Sequence, residues 1–324
     1  MIFFRIDLGP KKGLGHYKRV KSLISYLKIK KYKIIIDHLS DAKLLKDENN
    51  FEYLYSKKER FINEKQDAKI FLNFIKKVPK KIFVIKDSYR LGYYWERAVH
   101  KYCKKLVIID DFLNNKHYAD IHINHSPNFY KILQKKIKIL KKNNKINCKF
   151  LIGPDYALFE DNSPKKRITS DYLFYNGGSG NLLEYEKIIK RLSKNFRNKI
   201  NLVVGPFSNN LGKLQKKFNE IKNIKLIIKP KSIVDCLSGT KVFISSAGIS
   251  MFESSYQKIP TLLFKMNSNQ NLTDKGYENL GHYFCLNKND LKSEEKIEKL
   301  LILMKDNYLS IKKIMKNNCL NTNF

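Results

Sequence analysis

Two kinds of apolar pattern alternate along the chain. Residues 2–6, 32–36, 82–85, 106–109 and 121–124 are short runs rich in Ile, Val, Leu and Phe. Between them, apolar residues recur at helical spacing, as at Val20, Leu23, Ile24 and Leu27 within 17–29, and again across 67–78 and 95–102. Runs that are apolar throughout read as strands buried on both faces, and helices between them supply the cover, so the pattern predicts a parallel sheet. The grammar restarts after the polar stretch 160–170. Strands are expected at 171–175, 200–204, 226–228, 241–245 and 261–264, the last clear one. Helices are expected at 182–192, 232–237, 250–257 and in the tail from residue 291. The expectation is α/β: two doubly wound Rossmann-like domains facing across a cleft, 1–165 and 166–324.

Composition narrows the function classes. The 324 residues suit two domains, and a hydrophobic content of 43% suffices for two cores. No apolar run reaches bilayer length. The segment 1–7 is short for a signal peptide and carries charge where a signal would be apolar, so a cytoplasmic location is expected. Cys103, Cys148, Cys236, Cys285 and Cys319 form no CxxC pair and read as reduced thiols. The net charge of +34 raises nucleic acid as a partner. However, the positive residues are overwhelmingly Lys, accompanied by much Ile and Asn, as an AT-rich genome would produce. Bidentate recognition favours Arg. A specific nucleic-acid role is set aside, and a general attraction to anionic substrates or surfaces is retained.

Ligands of parallel sheets bind at the carboxyl ends of strands, and the loops there are unusual. After the first strand come Asp7 and then Lys12-Gly13-Leu14-Gly15-His16, with Arg19 following. Gly13 and Gly15 allow a tight turn before a helix, and a histidine there suits general-base work near neutral pH. A structural glycine turn with an incidental histidine fits equally well, and no third glycine completes a dinucleotide fingerprint. Asn176-Gly177-Gly178-Ser179-Gly180-Asn181 opens the second half, where backbone amides can meet phosphates. Ser245-Ser246-Ala247-Gly248-Ile249-Ser250, with Glu253 a turn later, suits a pyrophosphate and a ribose. Asp87 with Tyr89, and Asp110-Asp111, end first-half strands. They read either as groups that orient a sugar or water, or as caps of the following segments. His117, His122 and His125 lie close together, but their spacing matches no helical zinc motif, and no metal site is expected.

Taken together, these loops resemble a known family. The matching features are Asp7, Gly13-Leu14-Gly15-His16 and Arg19; Asp87-Ser88-Tyr89 with Trp95-Glu96; and Ile109-Asp110-Asp111 with His117 and Asp120. They continue with Leu151-Ile152-Gly153-Pro154-Asp155-Tyr156-Ala157-Leu158, Gly177-Gly178, Ala247-Gly248 with Glu253, Ile259-Pro260-Thr261 and Asn269-Gln270. The ensemble is similar to the UDP-2,4-diacetamido-2,4,6-trideoxy-β-L-altropyranose hydrolases of pseudaminic acid biosynthesis, relatives of the GT-B glycosyltransferases. The resemblance implies a metal-independent hydrolase that needs no cofactor and splits a UDP-sugar into UDP and free sugar. It implies that His16 is the essential histidine, Tyr89 an active-site tyrosine and Asn269 a sugar-side asparagine. UDP is then held through Ala247, Gly248, Ile249, Ser250 and Glu253. On this reading His16 takes a proton from water, and Asp7 or Asp110 orients His16 or the water. The chain departs from the family pattern at Gly9, Lys12, Gly180 and His125, which bears on the sugar more than on UDP. A glycosyltransferase, with an acceptor hydroxyl in place of water, fits the same motifs. A basic nucleic-acid-binding protein is the alternative from another class.

Overall fold

The computed structural model describes residues 1–10, 12–38, 45, 50–56, 60–78, 82–112, 116–125, 134–135, 137–139, 147–160, 167–266 and 274–315. The chain divides into two compact units, one comprising Met1–Leu158 and the other running on from Phe159.

The first unit contains β1 (Ile2–Ile6), α1 (Gly15–Tyr26), β2 (Tyr32–Ile36), β3 (Phe51–Tyr53), α2 (Glu64–Ile75), β4 (Ile82–Asp87), α3 (Tyr93–His100), β5 (Cys103–Ile109), β6 (Ile121–Asn124) and β7 (Lys149–Ile152). The strands form one parallel seven-stranded sheet in the order β3-β2-β1-β4-β5-β6-β7. Helix α2 starts where Asn63 caps it, its side chain accepting the Gln66 amide at 3.0 Å, with Glu64 and Asp67 in the first turn. Its apolar stripe of Ala68, Phe71 and Ile75 then packs with Trp95 and Val99 of α3 over Phe3, Val84, Leu106 and Ile108. The Phe71 and Trp95 rings lie 5.1 Å apart.

The second unit contains β8 (Ser170–Tyr175), α4 (Glu186–Ser193), β9 (Ile200–Val204), α5 (Leu211–Phe218), β10 (Ile224–Ile228), α6 (Val234–Leu237) and β11 (Thr240–Ser246). After these come α7 (Ser250–Tyr256), β12 (Thr261–Lys265), α8 (Asp274–Asn279), β13 (Phe284–Asn287), α9 (Glu294–Asp306) and α10 (Tyr308–Met315). Its parallel six-stranded sheet has the order β10-β9-β8-β11-β12-β13. Tyr172, Phe174, Leu202, Ile244 and Leu262 build one face of its core against Ile188, Leu192, Leu214 and Leu301.

The inner strands fall where the apolar runs place them. Three strands were not expected: β3, β7 and β13, so 261–264 is not the last. Each lies at an edge of its sheet. An edge strand pairs on one side only and is partly exposed, as all of Lys149–Ile152 and Phe284–Asn287 are, so it lacks the fully apolar signature. The expected helices 17–29, 67–78 and 95–102 begin and end two or three residues earlier, at Gly15–Tyr26, Glu64–Ile75 and Tyr93–His100. The expected helix 182–192 opens as a 3₁₀ turn, Leu182–Tyr185, capped by the Asn181 side chain.

Both sheets share one winding. Chain order reverses between β1 and β4 in the first unit and between β8 and β11 in the second. The crevice outside the carboxyl ends of such strands is where open α/β sheets bind ligands. The loops singled out by sequence leave these strands: Asp7 to His16 after β1, Asp87 to Arg90 at the end of β4, 176–181 after β8, and 247–250 after β11.

Candidate active site

The turn after β1 is set by backbone. Gly9 and Gly13 adopt φ of +134° and +76°, and the amides of Lys12 and Gly13 both close on the Gly9 carbonyl, at 3.0 and 2.8 Å. Gly9 is one of the departures from the resembled family, and at its φ a side chain would be strained. Lys12, the second departure, places its ammonium 2.6 Å from Asp37.

Helix α1 then presents His16 and Arg19, one turn apart and both buried. His16 Nδ1 lies 2.7 Å from Asp87 Oδ1. Arg19 clasps the same carboxylate through Nε (2.8 Å) and Nη2 (2.7 Å), and donates from Nη1 to Asp111 at 2.6 Å. Arg19 Nη2 also lies 2.9 Å from His16 Nδ1. Arg is donor-only and an ionised carboxylate acceptor-only, so Nδ1 can serve just one of the two. The shorter contact favours Nδ1–H donating to Asp87, which leaves Nε2 as the lone-pair nitrogen. Tyr89 packs edge-on against His16, with ring centroids 4.8 Å apart, and donates its hydroxyl to Asp111. Burial of that hydroxyl pushes its pKa up; Asp111 adds to this and Arg19 opposes it, so Tyr89 stays a neutral phenol. Burial works to raise the Asp111 carboxyl, but Arg19 and His125 bring it well below the usual range.

A second buried network lies behind this one. The carboxylate of Asp7 accepts from Ser88 Oγ at 2.9 Å and from Arg90 Nε at 3.0 Å. Burial would raise Asp7, but Arg90, His16 and Arg5 lower it. Asp37 takes Arg5 (2.7 Å), Lys12 and Arg90 (3.1 Å). Arg5 is 0% exposed and also bonds Asp67, which accepts from Tyr55 Oη (2.9 Å) and Trp95 Nε1 (2.8 Å). The carboxylate at His16 Nδ1 is Asp87, so of the expected roles of Asp7 and Asp110, orienting His16 or the water, the first falls to Asp87. Asp7 is taken up by Arg90 and Ser88. Asp110 faces His117 and His122, at 3.7 and 3.6 Å, and accepts the Phe112 amide. Sequence reasoning missed Arg5, Asp37, Asp67 and Arg90. A charged residue inside an otherwise apolar strand, as Arg5 is in β1, was the available signal.

The second unit's loops are neutral. Gly177 has a φ of +75°. A Cβ on Gly180 would lie 1.6 Å from the Asn176 carbonyl oxygen, and one on Gly205 would lie 2.4 Å from that of Gly178. The Gly178 carbonyl accepts the Phe207 amide at 2.9 Å. After β11, Ala247 and Ser250 are buried, and Ser250 Oγ pairs with Ser245 Oγ at 3.1 Å. A Cβ on Gly248 would meet nothing within 4 Å. Ile249 follows, and Glu253 is 1% exposed within α7. His282 donates Nε2–H to the Met251 carbonyl at 2.7 Å, and burial pushes its pKa down to about 4. Asn269 and Gln270 lie outside the described residues. Among the described residues, no helix is long and apolar enough to cross a membrane.

No family model matches the chain. An uncharacterized protein of Methanocaldococcus jannaschii is 25% identical over 283 residues, 82% of this chain and 55% of that protein. The chain thus spans about half the length of the curated relative it matches. Among solved structures, MurG from Acinetobacter baumannii superposes with a TM-score of 0.63 at 10% identity, over 98% of this chain and 95% of that one. UGT89C1 from Arabidopsis thaliana, in complex with UDP, gives 0.62 at 10% identity over 98% and 94%. With two parallel α/β Rossmann-like units of seven and six strands, the fold is GT-B-like.

Proposed function

We propose that the chain is a UDP-sugar hydrolase. It cleaves the anomeric C–O bond of UDP-2,4-diacetamido-2,4,6-trideoxy-β-L-altropyranose, or a related UDP-amino sugar, as in pseudaminic acid biosynthesis. The carrying observation is the Arg19–Asp87–His16 array, in which a clamped carboxylate holds Nδ1 and leaves Nε2 as a base. In the mechanism, neutral His16 takes a proton from water as the water oxygen bonds to the anomeric carbon. The bond from that carbon to the diphosphate breaks on the opposite face, and UDP leaves with the electron pair. The first unit supplies this acid–base chemistry, with Tyr89 bracing the His16 ring. The second unit holds UDP through Ala247, Gly248, Ile249, Ser250 and Glu253, with Gly177 and Gly178 nearby in the same sheet edge. Gly13 and Gly15 shape the loop that faces the sugar. The similarity to a structure solved with UDP supports the choice of nucleotide.

The test is release of UDP and free sugar by the full chain with no acceptor present. His16→Gln is expected to lower turnover by about 10²–10⁴-fold with UDP affinity unchanged. Full turnover in that variant rules out His16 as the base. Turnover only when an acceptor alcohol is added shows a glycosyltransferase instead.

A further inference from the structure

Beside this array lies a cluster that the proposed reaction does not use. Asp110 follows β5, His122 lies in β6, and His117 sits in the segment between them; all three are buried. Their donor atoms lie within 4.8 Å of one another. His117 Nε2 and His122 Nε2 stand 3.7 and 3.6 Å from the same oxygen, Asp110 Oδ2. These distances are too long for hydrogen bonds, whose N···O mode is about 2.9–3.0 Å. They are close to the roughly 3.4 Å between two ligands bound tetrahedrally at about 2.0–2.1 Å from one ion. His117 Nε2 and both nitrogens of His122 are buried without a hydrogen-bond partner. A buried polar atom left in that state costs about 1–3 kcal/mol, so the arrangement needs an explanation.

The surroundings fit the same reading. His117 Nδ1 lies 2.8 Å from Glu96 Oε1, so it donates there, and in the neutral imidazole that a metal ion requires Nε2 carries the lone pair. Glu96 is in turn fixed by Lys86 Nζ at 2.8 Å and by the Tyr118 amide at 2.7 Å. A carboxylate behind a histidine is the usual outer partner of a metal-bound imidazole. Two imidazoles and one carboxylate suit zinc-class divalent ions, whereas magnesium and calcium prefer oxygen ligands.

We propose that Asp110 Oδ2, His117 Nε2 and His122 Nε2 bind one divalent transition-metal ion of the zinc class, with Glu96 orienting His117. Water completes the coordination. The ion fixes the turn carrying Asp111, which holds Arg19 and Tyr89. Sequence spacing does not disclose this site, because the parallel pairing of β5 and β6, and not a helix, brings the ligands together.

The test uses the full, tag-free chain, stripped with a chelator and titrated with Co²⁺ while its visible absorption is followed; Zn²⁺ is measured by equilibrium dialysis. The expected result is one ion per chain, a ligand-field spectrum with imidazole ligation, and displacement of Co²⁺ by Zn²⁺. His122→Phe, which keeps a ring in the core, is expected to abolish the spectrum, as is Asp110→Asn. Glu96→Gln is expected to weaken binding about 10–100-fold. Circular dichroism of each stripped variant establishes that it is folded. Absence of uptake by the wild-type chain overturns the proposal. So does an unchanged spectrum in a folded His122→Phe or Asp110→Asn variant, which places the ion elsewhere. The readout is metal binding, so the outcome is independent of hydrolase activity.

Discussion

The two sheets have the same strand order around the point where winding reverses, yet their carboxyl edges are chemical opposites. In the first unit the edge is crowded with charges, most of them buried: Asp7, Asp37, Asp87 and Asp111 interlock with Arg5, Arg19, Arg90 and Lys12. In the second unit it is glycine, serine and backbone, with the 176–181 loop folded over Gly205 and an open face at Gly248. Topology decides where a site sits, and side chains decide what it does. A mesh of fixed charges suits proton transfer, because it holds the transferring group in one orientation. Bare amides and small residues suit a diphosphate, which needs room and donors.

The sharpest way to break this contrast is at Asp87. An Asn there keeps the shape but turns an amide toward His16 Nδ1, which reverses the tautomer and protonates the base at Nε2. Asp87→Asn is expected to cut turnover by about 10³–10⁴-fold, the scale of the comparable change in a Ser-His-Asp triad. UDP affinity, measured by calorimetry, should stay at the wild-type value because the second unit is untouched. A loss of UDP affinity of similar size would mean that the division of labour is wrong.

Next in size is the charge mesh itself. Arg5→Met leaves Asp67 and Asp37 in the interior without their shared partner. Breaking a buried pair from one side costs about 3–5 kcal/mol, and urea unfolding of the full chain should register that loss. The second unit's nearest equivalent, Ser250→Ala, removes one neutral hydrogen bond to Ser245 and should cost about 1 kcal/mol. Equal costs would erase the distinction between a charged and a neutral edge.

The units should also answer to acid in different windows. His282 is buried neutral, with a folded pKa of about 4. Its stabilising effect is therefore complete above the unfolded value near 6.5, declines as pH falls between the two, and is gone below about 4. The full swing is on the order of 3 kcal/mol. First-unit carboxylates act lower: burial would raise Glu96, but Lys86 and His117 hold it at about 2, so its contribution persists until pH drops below about 4. His282→Gln can still donate to the Met251 carbonyl. It should flatten the stability profile between pH 6.5 and 4 and leave the steeper fall below 4 in place. An unchanged profile in the upper window would remove His282 as its cause.

The sequence made the inner strands and the loops at both reversals legible, because fully buried strands are apolar throughout and the glycines and aspartates follow directly after them. It did not disclose the edges β3, β7 and β13, whose half-exposed positions dilute the pattern. Nor did it disclose pairings. His16 and Asp87 are 71 residues apart, and Arg5 and Asp67 are 62 apart, so only the parallel register of β1 with β4 and the seat of α2 bring them together. Glycines were legible as loop markers but not by role. Gly9, Gly180 and Gly205 are demanded by backbone, whereas Gly248 is not.

That last difference supports the smallest prediction and the most selective one. A Cβ at Gly180 collides with backbone, so Gly180→Ala should unfold the loop and say nothing about ligands. At Gly248 the added methyl meets open space, and Gly248 has no left-handed φ to strain. Gly248→Ala should therefore leave the unfolding free energy within the range of a neutral surface change, about ±0.5 kcal/mol. If the diphosphate lies against that residue, the same methyl occupies its place, and UDP affinity should fall about tenfold, equivalent to about 1.4 kcal/mol. Stability and affinity then separate in one variant. A Gly248→Ala protein with unchanged stability and unchanged UDP affinity would move the nucleotide away from the 247–250 turn. The neutral edge of the second sheet would then need another occupant, while the acid–base array of the first unit would stand.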